Sequence, residues 1–119
     1  MTKVAVVFAE GFEEIEALSP VDVFRRSGFD CSMLGLESTS VIGSHGIQVA
    51  MDGVFDGNFA DYDLVVLPGG MPGSTNLRDN ETLIASLQEA AKVGKYIAAI
   101  CAAPIAVSYT HLDVYKRQP

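Results

Sequence analysis

The sequence has no tryptophan and only two cysteines, Cys31 and Cys101, in 119 residues. One pair of cysteines cannot build a disulfide framework, and neither stands at a metal-ligand spacing from other candidate ligands. No apolar run approaches the roughly 18 residues that cross a bilayer, and no leader-like segment is expected at the start. Cationic residues are scarce as well: 8 Lys and Arg face 15 Asp and Glu, for a net charge of −7 with no basic stripe. Binding to nucleic-acid phosphates is therefore not expected, nor is a membrane partner. A reducing, cytoplasmic setting is the default for such cysteine usage. What remains is a composition ordinary for one globular domain, 49% hydrophobic and 19% charged, long enough for one core and too short for two.

Strands and helices alternate along the chain. Val4–Phe8 is a continuous, mostly β-branched run, the pattern of a strand covered on both faces of a parallel sheet. Glu13–Ser27 reads as a helix with Ile15, Leu18, Val21 and Phe24 on its apolar face, acids in its first turn, Arg25 and Arg26 in its last, and Gly28 as its stop. The acids, Glu13, Glu14 and Glu16, read as dipole complements on a solvated face. Pro20 removes a donor from the middle of this helix and predicts a kink, or a fresh start capped by Ser19.

Phe29–Leu36 reads as a second strand with Cys31 in the core. The segment from Glu37 to Asn58 reads as a small antiparallel excursion of Ser40–Ile42 and Ile47–Ala50, turning near Ser44-His45-Gly46 with His45 facing solvent. Asp63–Leu67 is a further buried strand, cut off by Pro68-Gly69-Gly70 and a loop through Met71-Pro72-Gly73. Asn80–Val93 is a helix with the stripe Leu83, Ile84, Leu87, Ala90 and Ala91, and Tyr96–Ile100 is the next strand. The fold class is α/β: a parallel sheet with helices on both faces, whose ligands gather at the carboxyl ends of the strands.

Three segments meet at that edge: Glu10–Glu16, Pro68–Gly73, and Cys101 at the end of the last strand. Small residues and Pro104 follow Cys101, as at a strand–nucleophile–helix corner, where the free N–H groups and dipole of the helix favour a thiolate. Glu16 is the candidate proton-handling carboxyl, and the backbone N–H groups of Ala102, Gly69 and Gly70 are candidate oxyanion donors. Taken singly, each piece has a plain structural explanation: a buried thiol, a turn, a set of acids complementing a dipole.

Taken together, Val4–Phe8 with Glu13-Glu14-Ile15-Glu16-Ala17 and Pro20-Val21-Asp22, then Leu67-Pro68-Gly69-Gly70, then Ala98–Pro104 resemble the ThiJ/PfpI proteins (the DJ-one superfamily) from about residue 3 to residue 107. The short insertions are closer to the ThiJ/DJ-one branch than to the PfpI peptidases. The resemblance implies a flavodoxin-like fold, usually a homodimer, with no cofactor and no metal. It implies Cys101 as nucleophile and redox-sensitive thiol, Glu16 hydrogen-bonded to it, and Gly70 and Ala102 as backbone donors beside the sulfur.

The implied activity is that of a cysteine-dependent glyoxalase or deglycase, whose partner is a small reactive carbonyl or a glycated amino group. The alternative is a redox-sensing stress protein or chaperone using the same cysteine. The sequence departs from the family pattern after Val107. Residues 1–107 read as the N-terminal part of one family-like domain, incomplete at its C-terminus. Residues 108–119 lack an apolar stripe and read as a non-native tail, so His111 is not a candidate catalytic partner.

Overall fold

Strand β1, Lys3–Phe8, lies at the centre of the sheet, and Val4 to Phe8 are completely buried. Its side chains alternate between two cores. Val4, Val6 and Phe8 enter one with Phe12, Ala17 and Val21; Ala5 and Val7 enter the other with Leu77, Leu83 and Leu87. Both faces are thus covered by helices, which is why the strand is an unbroken apolar run. A computed structural model describes residues 1–100 of the chain; the expectations for Cys101, Ala102 and the 108–119 tail fall outside the described residues.

The main sheet contains β2 (Asp30–Gly35), β5 (Gly53–Val54), β6 (Leu64–Leu67) and β7 (Tyr96–Ala99) besides β1, in the order β5-β2-β1-β6-β7, and every pairing is parallel. The strand order reverses between β1 and β6. The excursion is a separate antiparallel hairpin, β3 (Ser40–Ile42) and β4 (Gln48–Ala50), with Val41 opposite Val49. The pair β5 was not expected from the sequence; two residues carry no periodicity. Cys31 is buried in the core as expected.

Helix α1, Glu14–Arg26, runs through Pro20 as one element, so there is no restart at Ser19. Proline fixes a φ that a helix already uses, and here the missing bond is absorbed without interrupting the element. Its buried face also differs from the expected one. Glu14, Ala17 and Val21 point inward, Leu18 and Phe24 flank them, and Ile15 is 73% exposed.

Helix α2, Gly73–Arg78, starts on the last residue of the expected loop and has no counterpart in the sequence reading, being too short to show an apolar stripe. Helix α3, Glu81–Lys92, is capped by Asn80, whose side chain accepts from the Leu83 N–H at 2.9 Å, and Gly94 follows at φ +85°. Among the described residues no helix is long and apolar enough to cross a membrane.

Candidate active site

The turn between β1 and α1 is bonded directly to the glycine loop after β6. The Glu13 N–H donates to the Gly69 carbonyl at 2.9 Å, and the Gly73 N–H donates to the Gly11 carbonyl at 3.2 Å. Gly70 sits at φ +101°, and a Cβ there would run into the Glu13 N–H and the Gly11 carbonyl. Glycine is thus required at residue 70 for conformation and for space. The Gly70 carbonyl accepts from Ser74 at 2.8 Å, and among the described residues its N–H has no recorded acceptor.

Glu16 lies in the first turn of α1, three residues after the pinned Glu13, and is half-buried. The third segment arrives beside them. The Ile100 N–H donates to the Leu67 carbonyl at 3.1 Å, so β7 brings the chain to the carboxyl edge next to Pro68-Gly69-Gly70. The structure therefore brings together the Glu16 turn, Gly69, Gly70 and the end of β7. The roles assigned to Cys101 and Ala102 fall outside the described residues.

One feature of this edge was missed by the sequence reading. Glu14 is only 5% exposed, and its carboxylate lies under the turn of the β3–β4 hairpin. It accepts from the His45 N–H at 2.9 Å, from the Ile47 N–H at 3.3 Å, and bonds the His45 ring Nδ1 at 2.9 Å. Burial pushes this carboxyl's pKa up, but the His45 and Ile47 hydrogen bonds outweigh it and hold the pKa at about 2. His45 shifts upward in turn, through its hydrogen bond to Glu14 and that carboxylate's charge. The ring is exposed, as expected, yet partnered. Period was the available signal: residue 14 lies three before Ala17 and seven before Val21, the two apolar residues that are buried.

A cavity of about 590 Å³ opens at the carboxyl ends of β1 and β2, between Phe8, Glu10, Leu36, Asn76 and Glu81. It adjoins the β1–α1 loop through Glu10, but Glu16, Gly69 and Gly70 are not among its described lining.

The DJ-1/PfpI family pattern matches residues 2–117. The chain belongs to the DJ-1/PfpI family. It is 34% identical over 105 residues to the Parkinson disease protein 7 homolog of Danio rerio, covering 86% of this chain and 56% of that protein. It is 36% identical over 104 residues to the DJ-1 homolog B of Arabidopsis thaliana, covering 86% of this chain and 24% of that one.

Among solved structures, oxidized Toxoplasma gondii DJ-1 superposes with a TM-score of 0.87 at 34% identity, over 100% of this chain and 75% of that one. Drosophila melanogaster DJ-1beta gives 0.88 at 33%, over 93% and 61%. The family's flavodoxin-like α/β architecture is thus the fold of this chain, which spans between about a quarter and somewhat over half of these two curated relatives.

Proposed function

We propose that this family member is a cysteine-dependent glyoxalase or deglycase acting on 2-oxoaldehydes or their early adducts with amines. The carrying observation is the bonded junction of the Glu16 turn with the Gly69-Gly70 loop, at the edge where β7 leads into Cys101. A relative supports the choice of chemistry: a deglycase of Thermococcus kodakarensis is 32% identical over 103 residues, covering 86% of this chain and 61% of that protein.

In this reading the Cys101 thiolate adds to the aldehyde carbon, and the new oxyanion rests on the Gly70 and Ala102 N–H groups. Glu16 carries the proton from that carbon to the neighbouring carbonyl carbon, which turns the hemithioacetal into a 2-hydroxy thioester. Water then cleaves the thioester, giving the 2-hydroxy acid and free thiol. Gly69 shapes the turn and ties it to Glu13. The proposal includes a cytoplasmic setting and, for the full-length protein, a homodimer, the latter read by sedimentation of that purified protein. Incubation with methylglyoxal should yield lactate, and Cys101→Ala and Glu16→Ala should each abolish it. Wild-type rates in either variant overturn the mechanism.

One observation favours a second reading, a redox-sensing stress protein: the Toxoplasma relative was solved oxidized. Cys31 supplies the internal control, because burial pushes its thiol pKa up, only partly offset by Arg25. Mild peroxide followed by mass spectrometry should add two oxygens to Cys101 alone; equal modification of Cys31 rejects selective sensing.

A further inference from the structure

We propose that Glu14 and His45 are a positioning pair: the hairpin turn clamps the buried Glu14 carboxylate, which holds the Glu13–Glu16 turn against the glycine loop, and a proton on His45 tightens the clamp. The part of this that concerns Glu16 rests on the function proposed above; the clamp itself rests on contacts within the described residues.

The hairpin grips the β1–α1 turn along its whole length. The Gly11 N–H donates to the Ile42 carbonyl at 2.9 Å, and the Ser44 N–H donates to the Phe12 carbonyl at 2.7 Å. The Ile42 N–H donates to Glu10 Oε2 at 3.2 Å, before the three donors from His45 and Ile47 close on Glu14. Gly43 leaves the room: a Cβ there would overlap the Glu14 side chain, its Cγ lying only 2.8 Å away. The same turn is bonded on its other side to Gly69 and Gly73. It is therefore held between two loops, and the hairpin supplies the side that carries a titrating group.

The cluster is not a cation site. Candidate ligand atoms of Glu13, Glu14 and His45 lie within 4.8 Å of one another, but N–H donors already fill the Glu14 carboxylate. The N-terminus of α1 also opposes a cation there.

A carboxylate only accepts, so Nδ1 keeps its hydrogen in both states of the ring and the proton that titrates is the one on Nε2. Losing it leaves the hydrogen bond and removes its charge, which weakens a charge-assisted contact. Facing this pair are Glu13, the N-cap of α1, whose charge also favours the protonated ring, and Glu10 of the preceding loop, which accepts from the hairpin's Ile42 N–H. The hairpin carries no titratable side chain besides His45, and residues 68–73 carry none. Every neighbouring charge is negative, and each favours the protonated ring.

The test follows amide hydrogen exchange at Gly11, Ser44, His45 and Ile47 in the full chain, relative to Val6 in β1, across the His45 titration, alongside methylglyoxal turnover. In the wild type these amides should open on the order of tenfold faster once His45 is neutral, with kcat falling over the same range and KM little changed. His45→Asn keeps an N–H at the Nδ1 position but cannot titrate, so both profiles should lose that step. His45→Ala should exchange fast at every pH.

A wild-type exchange profile with no step, or a step that survives in His45→Asn, overturns the clamp. A step without any turnover leaves the clamp standing and rejects the enzymatic reading. Turnover whose pH profile is unchanged in His45→Asn shows that the clamp does not position Glu16 and rejects that role.

Discussion

Gly70 does two things at one atom's distance from failure: it takes a left-handed conformation and leaves its Cα bare against Glu13 and Gly11. Gly70→Ala meets a conformational cost of about 1–3 kcal/mol, and the added methyl pushes on the backbone that carries the Glu13–Gly69 bond. Urea unfolding should show a loss of at least that size, and lactate formation should fall with it.

Glu14 and His45 make a second prediction at this scale, with the sign set by the direction of each shift. Glu14 ionises at about 2 instead of 4.5, so its contribution is present above about pH 4.5 and is lost as pH falls toward 2. His45 is raised from 6.5, so its contribution is complete below 6.5 and is lost as pH rises through its raised value. The pair should stabilise the fold most between these two ordinary values. Urea midpoints against pH should decline on the alkaline side in the wild type, and that decline should disappear in His45→Asn.

At the scale of elements, α3 shows a helix whose boundaries follow local chemistry. Asn80 caps Leu83, and Gly94 follows the C-terminus in the left-handed region, so Asn80→Ala should cost about 1 kcal/mol by chemical denaturation with the urea slope unchanged. Such signals were legible because they act over a few residues. The same holds for β1, β6 and β7, where burial on both faces writes itself as an apolar run.

Helix α1 marks where local reading failed. Ile15 fits an apolar face and is exposed, while Glu14 carries a charge and is buried, because the hairpin 31 residues away supplies the donors that make burial tolerable. Pro20 does not restart the helix, for the opposite reason: its penalty is local, and the core contacts of Ala17 and Val21 on either side carry the helix through. In the candidate site, Glu16, Gly69 and Gly70 could be named from residue type and spacing. The bond that joins their segments, Glu13 to Gly69, is tertiary and had no signature in the sequence.

For the whole molecule, the sheet order sets how firmly each part is held. β1 lies between β2 and β6 and is buried on both faces, whereas β5 is a two-residue edge and the β3–β4 hairpin belongs to another sheet. The hairpin is joined to the rest at the β1–α1 turn, through Val41 buried in the core with Val49 packed beside it, and by the Asp52 amide just past β4, which donates to the Met33 carbonyl. Local opening draws on elements with few buried apolar contacts, so stability should be graded outward from β1. Amides of Val4–Val7 and of Val65–Val66 should exchange only with global unfolding. Those of β3 and β4 should exchange through a smaller opening that depends less steeply on denaturant, since a short hairpin exposes little surface. Equal denaturant dependence at Val41 and Val6 would show that the hairpin opens only with the core. The Glu16 turn would then be held as rigidly as the central strand, and ligand entry could not rely on the hairpin lifting away.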